Sequence, residues 1–165
     1  MQILDILKKL EEFDEKLSHF PDGRIDFHGA SEASALNIVI FHNGQILLLK
    51  RSEKVLEYKS KWNVVGGYLD EIKPIKKKAL EELSEELGIV EDDIADIRIG
   101  ECILTRDESI SITWYIVPVR VILKRRPEIK LDFEHTDYRW INPEDIFDYD
   151  TVPNLDAMID KARIK

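Results

Sequence analysis

The stretch Gly66–Ile89, GGYLDEIKPIKKKALEELSEELGI, constrains this chain more than any other. A glycine pair and a short acidic turn precede a run in which Ala79, Leu80, Leu83 and Leu87 share one helical arc. That spacing predicts a helix packed on a sheet, beginning after Pro74, a residue suited to a first helical position. The helix is charged against its own dipole. Lys76, Lys77 and Lys78 crowd its first turns and Glu81, Glu82, Glu85 and Glu86 its last, whereas a helix favours the reverse by about 0.3–1 kcal/mol per charge. The pairs Lys77 with Glu81 and Lys78 with Glu82 also run in the weaker Lys-first order. A helix selected for stability alone would not carry this pattern. Carboxylates at i, i+3 and i+4, in contrast, converge on one patch and can share a hard divalent cation. Glu82 and Glu86 fall at the edge of the apolar arc, with Glu85 beside them and further out. Carboxylates at the margin of a core repel each other, so they take up protons or bind a cation. The competing reading is a solvated acidic face.

Length and charge set the bounds. A chain of 165 residues, 44% hydrophobic and 35% charged, fits one soluble globular domain with a real core. No apolar run approaches the roughly 20 residues of a membrane span. The N-terminus, MQILDILKKLEEFDEKL, alternates apolar and charged residues and lacks the apolar core of a signal peptide, which leads us to expect a cytoplasmic protein. Cys102 stands alone, excluding an intrachain disulfide and a cysteine-based zinc cage. A net charge of -9 argues against a broad nucleic-acid-binding face but leaves room for a small anionic substrate held by a metal and a few local cations.

Along the chain, Ile3, Leu4, Ile6, Leu7, Leu10, Phe13 and Leu17 mark an amphipathic N-terminal helix. Residues 24–35 are rich in small side chains and read as irregular. Leu36–Phe41 and Gln45–Arg51 are apolar, β-branched runs joined by His42-Asn43-Gly44, a strong hairpin signal. A charged loop, Ser52–Lys61, leads to a short strand, Trp62–Val65. Ile94–Leu104 and Ile110–Leu123 read as longer strands, the second broken by Pro118, which suggests a bulge or an edge. Asp137–Ile141 reads as a strand, and Pro143–Phe147 and Val152–Ile164 as helical. Strands flanked by helices on both sides predict an α/β/α sandwich with a mixed β-sheet. The expected organisation is a single domain over residues 1–165, with 1–30 an N-terminal helical extension.

The context of the glutamates resembles the box of the Nudix hydrolase family: Gly, five residues, Glu, seven residues, Arg-Glu, an aliphatic residue, any residue, Glu-Glu, any residue, Gly and an aliphatic residue. Gly67, Glu82, Leu83, Glu85, Glu86, Gly88 and Ile89 match in register. Lys73 stands where the family usually has Glu, and Glu81 where it usually has Arg. Those two departures exchange signs and keep the attraction, so we expect a charge-swapped loop–helix pair; the arginine fork is lost. The resemblance extends loosely through LLLKRS, Trp62 and the segment from Glu134 to Asp145.

The resemblance implies a Nudix-like fold and hydrolysis of the diphosphate linkage of a nucleoside diphosphate derivative or nucleoside triphosphate, with Mg²⁺ or Mn²⁺. Glu82, Glu85, Glu86 and the carbonyl of Gly67 would hold the metal, and the general base would be Glu82 or Glu134. The glycine pair suits a chain that must turn tightly and bring its backbone close to a metal or phosphate. Arg51 and Arg106, the latter in a loop after the Ile94–Leu104 strand, are candidate substrate contacts, against surface salt bridges. His135 is a candidate donor behind the ligands, and Trp62, Trp114 and Trp140 are core residues first and base-stacking residues second. A small nucleotide is the expected partner, and the N-terminal helix could cover the cleft, pack on the core or make a homodimer contact. The isopentenyl diphosphate isomerases share the fold but use a cysteine upstream of the box, which this chain lacks. The alternative is a non-catalytic nucleotide-binding Nudix-like module; such domains tend to lose the paired glutamates, which are intact here. The proline or tyrosine that sorts some family members by substrate is missing around Leu104–Arg106.

Overall fold

The computed structural model describes residues 1–163. Its centre is a hairpin whose strands, β1 (Glu32–His42) and β2 (Gln45–Arg51), meet only beside the turn, at Phe41 with Ile46 and His42 with Gln45. Asn43 and Gly44 both take positive φ, 48° and 75°, the backbone that a tight two-residue hairpin requires. Past the turn the strands diverge, and residues 62–68 enter between them. There β3 (Trp62–Asn63) pairs with β2, and β4 (Val65–Tyr68) pairs with β1 so that Gly66 lies opposite Asn37 and Gly67 opposite Leu36. This wedge brings the glycine pair into the middle of the sheet.

Two helices and the remaining strands complete this face and the sheet. The N-terminal helix is α1 (Ile3–Lys16) and the Glu-rich helix is α2 (Ile75–Leu87), with Pro74 one position earlier than expected, at the cap. Strands β5 (Ile94–Ile99), β6 (Ile103–Asp107), β7 (Ile112–Leu123) and β8 (His135–Ile141) complete a mixed eight-stranded sheet. Among the described strands β1 and β7 pair in parallel, from Glu32 with Thr113 to Phe41 with Ile122, and the other pairings are antiparallel. A 3₁₀ turn (Pro143–Asp148) and α3 (Leu155–Ala162) follow; the end of the expected helix at Ile164 lies outside the described residues.

Alternation along the strands builds two cores. Leu36, Ile38, Ile40, Leu47 and Leu49 point to the layer of α1 and α2, where they meet Ile6, Leu10, Phe13, Ala79, Leu83 and Leu87. Val39, Ile46 and Leu48 point the other way, onto Ile146, Leu155, Ile159 and Ala162. Strands buried on both faces read as unbroken apolar runs, which is why β1 and β2 were so visible. The architecture is the expected α/β/α sandwich, and Ile6, Leu10 and Phe13 of α1 are spent on the core while Ile3 and Leu4 stay exposed.

Four local expectations change. Residues 32–35 are strand, because Ala33 and Ser34 are clamped between β7 and the β4 end (Leu69 N–H to Ser34 O, 2.9 Å) despite weak local preference. The Ile94–Leu104 run is two strands, β5 and β6, split at residues 100–102. Both pair with β7, and the split falls beside Pro118, whose carbonyl accepts from Gly100 N–H at 2.8 Å. Pro118 therefore marks a change of partner in a central strand, not a sheet edge. Arg106 consequently belongs to β6 and not to a loop.

Candidate active site

Helix α2 is anchored by Ala79, Leu83 and Leu87, and the residues beside that stripe, Lys78, Glu82 and Glu86, are buried with it. Gly88 ends the helix at φ 70°, with its own N–H on Ser84 O and the Ile89 N–H on Leu83 O. That reversal needs a residue tolerant of the left-handed region, hence the glycine. The last carbonyls of α2 are also taken by a distant segment: Lys130 N–H donates to Leu87 O (3.0 Å) and Asp132 N–H to Glu86 O (3.2 Å). These bonds bring the residues before β8 to the acidic end of the helix, and with them Glu134 and His135.

One ligand atom each from Glu86, Glu134 and His135 lie within 4.8 Å of one another. Glu86 Oε2 is buried with no hydrogen-bond partner. Burial, then the charges of Glu82, Glu134 and Asp132, hold the Glu86 carboxyl well above its ordinary pKa. Burial likewise raises Glu82, against the opposing pull of Lys78, and raises Glu134, with Asp132 and Glu82 adding to it. Burial lowers His135, whose Nδ1 lies 3.2 Å from Asp132 Oδ1, and so favours the neutral imidazole that a metal needs. The Glu82 carboxylate rests on Gly67: a Cβ built there would lie 2.6 Å from Glu82 Cδ and Oε1. Glu85 is on the exposed flank of the same helix end, and its charge reaches Glu82. A donor set of carboxylates and one neutral imidazole, with an orphaned buried oxygen, fits a hard divalent cation.

Gly67 and Glu134 also line a cavity of about 370 Å³. Its walls carry Tyr58, Tyr68, Trp114 and Phe133, and Arg51 enters from the end of β2. The Arg51 guanidinium is fixed by the Glu57 carbonyl, through Nε at 3.1 Å and an NH2 nitrogen at 2.8 Å. Tyr58 sits at φ 55°, unusual for a bulky residue, and its hydroxyl donates to Asp107. Burial, the first cause, and the Glu57 charge push the Tyr68 phenol up to about 12. Thr105 and Asp107 face the cavity; the intervening Arg106 does not line it, and its exposed side chain meets Glu108 and Thr113. Trp114 is a cavity wall, whereas Trp62 packs edge-on against Tyr149 and Trp140 carries the Arg126 guanidinium. Cys102 is a buried thiol, raised to about 11 by its burial.

The expected charge swap is present. Lys73 Nζ lies 2.9 Å from Glu81 Oε2 and 3.1 Å from Glu71 Oε2. The hydrogen bond to Glu81 is the main cause holding the Lys73 ammonium up, and Lys73 in turn holds Glu81 down. Turning Lys73 into glutamate should destabilise the protein by about 1–2 kcal/mol, and adding Glu81→Arg should recover at least half of that loss. Thermal unfolding of the four proteins of this cycle measures the coupling; simple additivity would remove the pair from the account.

Two buried residues were not singled out from the sequence as part of the site, Lys78 and Asp70. Lys78 Nζ reaches Glu82 Oε1 at 3.0 Å and Asp70 Oδ1 at 3.3 Å. Burial works to lower the Lys78 ammonium, but Glu82 and Asp70 outweigh it and hold it up. The i,i+4,i+8 spacing of Lys78, Glu82 and Glu86 was the available signal.

An acidic cluster that could hold a divalent cation thus lies at the end of a helix, next to a cavity that Gly67 and Glu134 line. The NUDIX domain model matches residues 32–162, so this chain belongs to the Nudix hydrolase family and is a Nudix-type pyrophosphohydrolase. Among curated relatives, nucleoside triphosphatase NudI of Escherichia coli K12 is 28% identical over 120 residues, covering 68% of this chain and 83% of its own. Solved structures share the fold at lower identity. The MutT protein of Methanosarcina mazei Go1 has a TM-score of 0.64 at 22% identity over 79% of this chain and 92% of its own. The NUDIX domain of Shewanella oneidensis NrtR, complexed with ADP ribose, has a TM-score of 0.66 at 16% identity over 93% and 96%. A Caenorhabditis elegans Ap4A hydrolase has a TM-score of 0.62 at 18% identity over 78% and 93%. The described residues contain no helix long and apolar enough to cross a membrane.

Proposed function

We propose that this chain hydrolyses the diphosphate linkage of a nucleoside triphosphate or nucleoside diphosphate derivative, dependent on Mg²⁺ or Mn²⁺. The observation that carries the proposal is the approach of Glu86, Glu134 and His135 beside Gly67 and Glu82, at the mouth of an aromatic-walled cavity. Glu82, Glu85, Glu86 and the Gly67 carbonyl would hold the metal, with Glu134 and His135 completing the group. A cation bound there would supply charge neutralisation on the phosphates and would acidify the attacking water. Glu134 stands on the cavity wall and is the residue to take the proton from that water, with Glu82 as the other candidate. Arg51, held rigid by the Glu57 carbonyl, meets the phosphates, while Tyr68 and Trp114 offer flat surfaces to a base. Arg106, outside the cavity, is left a surface role. The NudI relative, a nucleoside triphosphatase, and the Ap4A hydrolase neighbour support this substrate class.

Nucleoside triphosphates (oxidised ones included), dinucleoside polyphosphates and nucleotide sugars should be screened for turnover with Mg²⁺, with Mn²⁺ and with chelator. Metal-dependent release of phosphate or pyrophosphate from at least one class is expected. Binding without turnover across the whole panel would restore the non-catalytic module.

A further inference from the structure

Lysine is rarely buried unless paired, yet Lys78 keeps only 8% of its surface exposed. Its ammonium lies between Glu82 Oε1 (3.0 Å) and Asp70 Oδ1 (3.3 Å). Asp70 is itself buried and lies 3.6 Å from an Arg24 guanidinium nitrogen. The backbone joins the same two segments, since Ile25 N–H donates to Asp70 O at 2.8 Å. Opposite charges therefore alternate from Arg24 through Asp70 and Lys78 to Glu82, the glutamate whose carboxylate rests on Gly67. Arg24 precedes residue 32, where the NUDIX match begins, so part of this line of charge belongs to the N-terminal segment and not to the family domain.

We propose that Lys78 is a positioning residue: it occupies Oε1 of Glu82 and leaves a single oxygen, Oε2, for the cation, while Asp70 and Arg24 anchor it from behind. This inference rests on the metal reading above. A cation held so close to a ligand repels an incoming dication, and its fixed place stops the carboxylate from swinging to offer both oxygens. Lys78 thus weakens metal binding and in exchange holds the geometry in which the reaction runs. A buried ion pair with a structural role only would act differently. Its loss would cost stability and leave metal affinity unchanged or lower.

The test is a Mn²⁺ titration followed by electron paramagnetic resonance, on the full chain and on Lys78→Met and Asp70→Asn/Lys78→Met. The double variant removes the buried carboxylate that the single one strands, so it keeps the test open if the single one fails to fold. Lys78→Met should bind Mn²⁺ about tenfold more tightly than the parent, because a positive charge beside the site has gone; the double variant, which also loses the more distant negative charge of Asp70, should gain less but still bind more tightly. Turnover at saturating metal should fall by about tenfold or more through kcat, as Glu82 loses its fixed orientation. Unchanged or weaker Mn²⁺ binding in the folded double variant, with the parent binding normally, overturns this inference alone. A parent protein that binds no Mn²⁺ overturns the metal reading and this inference with it.

Discussion

Replacing Glu86 with glutamine is expected to abolish Mn²⁺ binding and lower turnover about 10³-fold, the several kcal/mol a metal contributes to phosphoryl chemistry. The same variant, in chelator, should unfold at the same temperature as the parent or a higher one. The two results share one cause. Glu86 is 3% exposed, one of its oxygens is orphaned, and burial and three neighbouring carboxylates hold its pKa well above the ordinary value. In the unfolded chain this carboxyl loses its proton near the ordinary glutamate pKa; in the metal-free folded protein it does so only at higher pH. Between those values the unfolded state binds fewer protons, so stability falls as pH rises through the window. A bound cation reverses that loss, and a neutral amide avoids it. Melting in chelator, a Mn²⁺ titration and steady-state kinetics on Glu86→Gln check all three consequences. Wild-type turnover in this variant would remove Glu86 from the metal site, and a clearly lower melting temperature in chelator would mean that the carboxylate is satisfied without metal.

What the sequence disclosed of this arrangement was whatever short-range chemistry enforces. Asn43-Gly44 announced a tight turn because few residue pairs accept two positive φ values in succession. The reversed charges of α2 and the spacing from Gly67 to Ile89 announced the acidic helix end, and opposite signs at Lys73 and Glu81 announced their ion pair. Features made by tertiary pairing stayed hidden. Ala33 and Ser34 have little strand preference and are extended because β7 and the end of β4 grip them. Asp70 was not singled out and Lys78 only as a possible partner of Glu82; both are buried because the Lys78 ammonium sits between the Asp70 and Glu82 carboxylates. Glu134 was legible only through a family resemblance, since the bonds that bring it to Glu86 join backbones far apart in sequence, Lys130 to Leu87 and Asp132 to Glu86. Arg106 was placed in a loop, and one residue of strand alternation then turned it away from the cavity that Thr105 and Asp107 line. The aromatic walls come from separate segments, Tyr58, Tyr68, Trp114 and Phe133, which no periodicity connects.

Adding one methyl group at Gly67 is expected to cut turnover by about 10²-fold or more, because misplacing a catalytic group by ~1 Å costs that much. The melting temperature, in contrast, should move by only a few degrees. Gly67 is outside the left-handed region, so alanine meets no backbone strain there. What it meets is the Glu82 carboxylate, with Cδ and Oε1 at 2.6 Å and Oε2 at 2.8 Å from the new Cβ. That group is the far end of a side chain and not backbone, so it moves aside by giving up its ion pair with Lys78, which keeps Asp70 as a partner. In doing so it leaves its place against the Gly67 backbone. Gly66→Ala is the control with the opposite balance. Its Cβ would lie 3.0 Å from Asn37 Oδ1 and 3.2 Å from the Leu36 carbonyl, a backbone atom of β1 that cannot step aside. There overpacking should cost about 1–3 kcal/mol of stability. Kinetics, Mn²⁺ binding and thermal melts on the two alanine variants distinguish a steric effect on the sheet from displacement of one carboxylate. If Gly67→Ala turns over like the parent, Glu82 does not work from its place against the Gly67 backbone, and the ligand set proposed for this site loses two members at once.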